Sequence, residues 1–320
     1  MTICVTGGAG FIGKPLVEAL VKNGQLVRVL TRHVDTPKQT THQPLHFEAD
    51  LTNSEVHLQD FLEGAHVLYH CAGEIKDKSI MQSLHVQGTQ RLLEAVREHI
   101  HATQQAFHWV QLSSVGAYGP SLTATSENRV VTETTLTNPV GEYESTKTKS
   151  DELVMRFAET EPLFSYSILR PSIVIASDMP NGSVRAIANM MRRGLFFYIG
   201  TRTAVANYVH LKDVIPALLL CGEDHRARGN IFNLSNDCLW SDIVMAVKTK
   251  FPKPMPTLCV PELTLRWLVG LTPSFIKSPL TKERIDVLTR HTTYPANKLK
   301  AQLDFVPTVD IPSAICQMLK

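Results

Sequence analysis

TGGAGFIG, Thr6–Gly13, sets glycines at 7, 10 and 13 directly after the extended run TICVT and ahead of the amphipathic run KPLVEALVKNG. A glycine turn between a strand and a helix lets backbone approach a pyrophosphate closely. The helix behind it offers unpaired N–H groups and the positive end of its dipole. The spacing therefore predicts a dinucleotide-binding turn that uses Gly7, Gly10, Phe11, Ile12 and Gly13. Outward from it, LVRVLTR, PLHFEADLT, AHVLYHCAG, FHWVQLSSV and FSYSILRP read as further strands, and IMQSLHVQGTQRLLEAVREHI as a long helix. Strand and helix alternating in this way predict an α/β chain, a Rossmann-like doubly wound parallel sheet.

Beyond Pro171 the pattern turns irregular: prolines crowd residues 251–261 and recur at 273, 279, 295, 307 and 312. This predicts a smaller, interleaved C-terminal substrate-binding lobe. Residues 1–173, with return segments at about 205–235, form the expected NAD(P)-binding domain; 174–204 and 236–320 form the lobe.

Composition excludes several classes. The net charge of +2 over 320 residues carries no nucleic-acid footprint. The most apolar run, VIPALLLC, is far short of the ~20 residues of a membrane span. Strand-like sequence from the second residue leaves no room for a signal peptide, and six cysteines without a CxxC fit reduced thiols, so a cytoplasmic location is expected. Thirteen histidines fall into no metal-ligand spacing, and no metal is expected.

Two further sites carry chemistry. At the end of the second strand, an NAD enzyme usually holds a carboxylate for the ribose, whereas NADP needs a cation for its 2′-phosphate. Here Thr31 is followed by Arg32, whose fork suits a phosphate, so NADP is expected and NAD stays open. Asp50, ahead of Leu51 in ADLT, is placed to meet an adenine edge or to cap a turn. In GEYESTK, Tyr143 stands four residues before Lys147, on one helix face. A neighbouring ammonium favours tyrosinate, the arrangement of a general acid/base with a lowered pKa.

TGGAGFIG, ADLT, HCAG, VQGTQRLLEA, LSSVGAYG, YESTK, LRPS and VHLKDV, in that order, resemble the extended short-chain dehydrogenase/reductase family of epimerases, dehydratases and ketoreductases. The resemblance implies Ser114, Tyr143 and Lys147 as catalytic residues, and Cys71, Ala72, Gly73, Ser113 and Pro171 beside the cofactor. Tyr143 would transfer the proton, Ser114 hold the substrate oxygen, and Lys147 grip the nicotinamide ribose. Two departures stand out. His85 occupies the family's usual asparagine position. Ala206 occupies that of the arginine which binds a nucleotide diphosphate; Arg202, Arg192 or Arg193 could substitute, and Asn181 falls where such enzymes use an asparagine.

The resemblance implies an NAD(P)-dependent oxidoreductase or epimerase acting at the C4 carbon of a nucleotide sugar. The alternative is a reductase of hydrophobic ketones or aldehydes, supported by the apolar GLFFYIG; a third reading is a non-catalytic NADP-sensing protein. A homodimer is expected at the family level, with Leu84, Leu92, Val96 and Leu153 either at its seam or facing the sheet.

Overall fold

The computed structural model describes residues 1–32, 43–120, 128–179, 182–252, 258–271 and 282–319. Its central sheet holds β1 (Thr2–Thr6), β2 (Leu26–Thr31), β3 (Leu45–Glu48), β4 (Ala65–His70), β5 (Phe107–Leu112), β6 (Phe164–Pro171) and β7 (Asn230–Leu234). The order is β7-β6-β5-β4-β1-β2-β3, and every neighbouring pair is parallel. Strand order reverses between β1 and β4, and the crevice beyond that switch point is where open α/β sheets bind ligands. All six residues of β5 are buried, as an inner parallel strand covered on both faces requires.

Helices α1 (Gly13–Lys22), α2 (Gly88–Thr103), α3 (Glu142–Thr160), α4 (Ser183–Arg192), α5 (Leu211–Glu223), α6 (Trp240–Lys250) and α7 (Ile311–Gln317) follow in chain order. Alternation along β1 divides the core. Ile3 and Val5 pack with Leu16, Val17 and Leu20 of α1 and Val214 and Leu218 of α5. Cys4, pointing the other way, packs with Leu92 and Val96 of α2 and Val154 and Phe157 of α3. Leu92 and Val96 are fully buried in this chain's own core, and Leu84 and Leu153 are half-buried against it. Leu92 and Val96 thus face the chain's own core, one of the two places the sequence left open. Just before α2, Gln82–Gln87 winds as a π-helical turn.

A second apolar cluster gathers Val184, Ile187 and Met191 of α4, Trp240, Ile243 and Val247 of α6, and Ile311 and Ile315 of α7. It lies downstream of β6 in sequence, while β7 returns to close the sheet against β6. Among the described residues, no helix is long and apolar enough to cross a membrane, and no cluster of His, Cys, Asp or Glu could hold a metal.

Candidate active site

The loop after β1 is shaped by what its glycines exclude. Gly7 has φ +68°, and a Cβ there would lie 2.7 Å from the backbone of Cys71 and Ala72, in the loop after β4. A Cβ on Gly13 would lie 2.1 Å from the Gly7 carbonyl oxygen. The Gly10 amide donates to that same oxygen at 2.9 Å, closing the turn. No side chain caps α1; the Lys14 amide donates to the Gly10 carbonyl at 2.9 Å and Pro15 has no N–H, so the Gly13 amide and the dipole end are what the first turn offers the crevice. Gly8 has a separate duty: its Cβ would strike Val29 at 2.6 Å, so it lets the loop sit on β2.

The loop opens on a cavity of about 1420 Å³, larger than the roughly 300–1,000 Å³ of a single drug-sized site. Gly7, Gly10, Phe11, Ile12 and Gly13 line one end, with Cys71, Ala72 and Gly73 beside them. Ser113, Ser114, Tyr143, Lys147 and Pro171 line it further along. The glycine cradle and uncapped helix fit the pyrophosphate of a dinucleotide.

Gly116 brings the catalytic candidates close. A Cβ there would lie 2.7 Å from Glu144 Cγ, so its absence lets the first turn of α3 settle against the turn that carries Ser114. The Ser114 hydroxyl accepts from the Gly116 amide at 3.1 Å, leaving its own proton to be donated elsewhere. Tyr143 is half-buried and Lys147 buried, one helical turn apart. Here the sequence expectation needs correction. Desolvation, then the charges of Glu144 and Asp151, pushes the Tyr143 phenol up to about 12. In the protein alone, burial sets the direction, and Tyr143 is a protonated phenol at neutral pH. Lys147 is itself lowered by desolvation, opposed by Asp151 and the Cys71 thiol.

Beneath them lies a network that sequence reasoning missed. The Ser113 hydroxyl donates to Asp151 Oδ2 at 2.6 Å, and Arg170 Nε and Nη2 donate to the same oxygen at 3.2 and 3.0 Å. The pair is fully buried, and Arg170 stacks 5.0 Å over the Tyr118 ring. Asp151 Oδ1 has no partner among the described residues. The Ser113 hydroxyl proton is therefore committed to Asp151, and its oxygen can still accept.

Other expected site residues lie off the cavity wall. Arg32 is exposed at the end of β2. Asp50 Oδ1 accepts from the Thr52 amide and hydroxyl, both at 2.8 Å, so Asp50 caps the following turn. Leu51 is buried in the core and its carbonyl accepts from Arg91 at 2.7 Å. Ala206 is buried in a two-residue strand. Arg202 is exposed and stacks 5.3 Å from the Tyr198 ring, and Arg192 stacks on Phe251 at 6.0 Å; neither they nor Arg193 line the cavity. Asn181 lies outside the described residues. The guanidinium groups at the wall belong to Arg129 and Arg290. Arg129 donates to the Gly119 and Tyr118 carbonyls, whereas the Arg290 guanidinium, whose own backbone carbonyl accepts from the Val205 amide at 2.7 Å, donates to no described residue. Nothing local in the sequence marks either one.

Among solved structures, the fold is similar to UDP-glucose 4-epimerase with UDP-glucose from Thermotoga maritima. The TM-score is 0.71 at 20% identity, over 99% of this chain and 97% of that one. It is equally similar to UDP-glucuronic acid 4-epimerase from Bacillus cereus in complex with NAD, with TM-score 0.71 and 20% identity over 99% and 94%. Among curated proteins, cinnamoyl-CoA reductase 2 of Medicago truncatula is 27% identical over 82% of this chain and 80% of its own length. Dihydroflavonol 4-reductase of Callistephus chinensis is 24% identical over 79% and 73%. The model of the NAD dependent epimerase/dehydratase family matches residues 3–235. With the glycine turn, the switch-point cavity and that match in agreement, this chain is an enzyme belonging to the NAD dependent epimerase/dehydratase family.

Proposed function

We propose that the protein reduces a hydrophobic ketone or aldehyde with NADPH. The observation that carries this reading is the cavity wall: Ile75, Val140 and Ile173 line it while 52%, 61% and 39% exposed. Aliphatic groups held open to solvent at a cavity mouth suit an apolar substrate. The position where a diphosphate arginine is expected is the buried Ala206. The protonated state of Tyr143 also suits reduction, because a phenol must give its proton to the forming alkoxide.

In this reading the Gly7–Gly13 loop and the α1 N-terminus hold the pyrophosphate, and Arg32 meets the 2′-phosphate. A bound nicotinamide supplies the hydride. Ser114 donates its hydroxyl hydrogen to the substrate oxygen and orients it. Tyr143 delivers the proton to that oxygen. Lys147 holds the ribose and adds positive charge behind the phenol. The second apolar cluster covers the substrate end.

One observation favours a second reading, a nucleotide sugar altered at C4. Arg290 lines the cavity with its guanidinium donating to no described residue, and a guanidinium there suits a diphosphate. A direct comparison separates the two: NADPH consumption with flavanonol and aryl-aldehyde substrates against interconversion of UDP-glucose and UDP-galactose, in wild type and Arg290→Met. Consumption with the apolar carbonyls, unchanged in the variant, supports the first reading. Interconversion that the variant loses overturns it in favour of the second.

A further inference from the structure

His85 stands inside the π-helical turn with its ring 1% exposed. The Glu74 backbone N–H donates to its Nε2 at 2.9 Å, so Nε2 carries no proton. The proton is therefore on Nδ1, which donates to Thr146 Oγ1 at 2.8 Å, and Thr146 in turn donates to the Glu142 carbonyl at 2.7 Å. A third contact completes the set: the imidazole meets the Tyr143 ring edge to face, centroids 5.7 Å apart and planes at 82°. One side chain thus ties the π-helical turn to the cavity-lining residue Glu74 and to the first turn of α3.

The imidazole stays neutral in this setting. Burial pushes it down to about 3, Lys147 adds to the shift and Glu74 opposes it. His70, the other titratable group coupled to it, is itself held well below the usual histidine range by burial. Both ring nitrogens then keep fixed, opposite roles across the working pH range, and the ring cannot turn over without losing both bonds.

We infer that His85 is the positioning residue for Tyr143: it fixes the direction of the phenol and shields its ring from water. The inference rests on the proposed role of Tyr143 as proton donor. His85 touches no reacting atom, and the three contacts named above are the whole of its action. An asparagine could make a hydrogen bond at this position but could not supply the ring edge.

The test uses the full chain in five forms: wild type, His85→Ala, His85→Phe, Tyr143→Phe and the double variant His85→Ala/Tyr143→Phe. The first readout needs no substrate. Tyrosinate absorbance, differenced against Tyr143→Phe, reports the ionisation of Tyr143 during alkaline titration. His85→Ala admits water beside the ring and is expected to lower that midpoint by about one unit. His85→Phe keeps the ring and is expected to restore most of the shift. The second readout is turnover on whichever substrate the comparison above selects. In His85→Ala, kcat is expected to fall by up to about 100-fold while NADPH affinity stays within about twofold. The double variant with Tyr143→Phe is expected to be no slower than Tyr143→Phe alone. A folded His85→Ala protein with an unmoved Tyr143 midpoint and wild-type kcat overturns the inference. So does a loss of NADPH affinity and thermal stability in proportion to kcat, which marks a purely structural brace. If Tyr143→Phe itself keeps full turnover, the proton-donor reading fails instead, and the titration still reports on the contact.

Discussion

The wall that Gly7, Gly10 and Gly13 build comes from one uninterrupted turn, whereas Arg129, Ile173, Glu262 and Arg290 reach another part of the lining from segments spread over half the chain. The first wall is made of backbone, and its shape follows from where Cβ atoms are missing. The second is made of side chains, and its chemistry follows from which distant elements meet. A change in the first therefore acts by collision and tolerates little. A change in the second alters what is recognised while the fold stands.

The seam between the walls carries the largest expected effect. Tyr143→Phe should cut turnover by about 10²- to 10⁴-fold with NADPH affinity nearly unchanged, read from initial rates and a binding titration on the same sample. Equal loss of both would move Tyr143 from chemistry to cofactor binding and blur the division. Next comes the backbone wall. Gly13→Ala forces a Cβ to within 2.1 Å of the Gly7 carbonyl oxygen, an overpacking of about 1–3 kcal/mol. Calorimetric titration should show NADPH binding weakened roughly 10- to 100-fold. An unchanged affinity would mean that the loop yields more readily than its packing implies.

The smallest effect concerns pH and the sheet half alone. Burial lowers His85 to about 3, His108 to about 4, and His70 well below its ordinary value. The unfolded chain binds their protons near pH 6.5, so it holds more protons than the folded one below that point. Stability should therefore decline as pH falls from about 6.5 toward 3, beginning above the carboxylate range. Urea midpoints measured between pH 7 and 5 test this. His108→Gln should flatten the slope; an unaltered slope would remove His108 from the account.

How much could be read beforehand follows the same division. The sheet, the first loop and the Tyr143–Lys147 face are written in short-range spacing, because a turn or a helical repeat needs only neighbours. The Asp151–Arg170 pair was not legible: its partners lie on a helix and a strand that only the folded sheet brings together. The Tyr143 phenol was misjudged for a related reason, since burial is set by everything packed around α3 while the lysine four residues on is visible in the string. Arg290 lines the cavity and Arg202 does not, a difference the string could not show because it depends on which distant loops the fold brings to the wall. Thr31 ends β2 and Arg32 follows it, outside the residues that line the cavity.

The wide turn at Gln82–Gln87 acts as a phase shifter. An α-helix advances 100° per residue, and a π turn stores one extra residue without lengthening the path in proportion. The stretch ahead of it and the helix behind it are thereby indexed independently. Leu92 and Val96 can meet the sheet while His85 points at Tyr143, a pairing of directions that an unbroken helix of the same sequence would have to surrender on one side or the other.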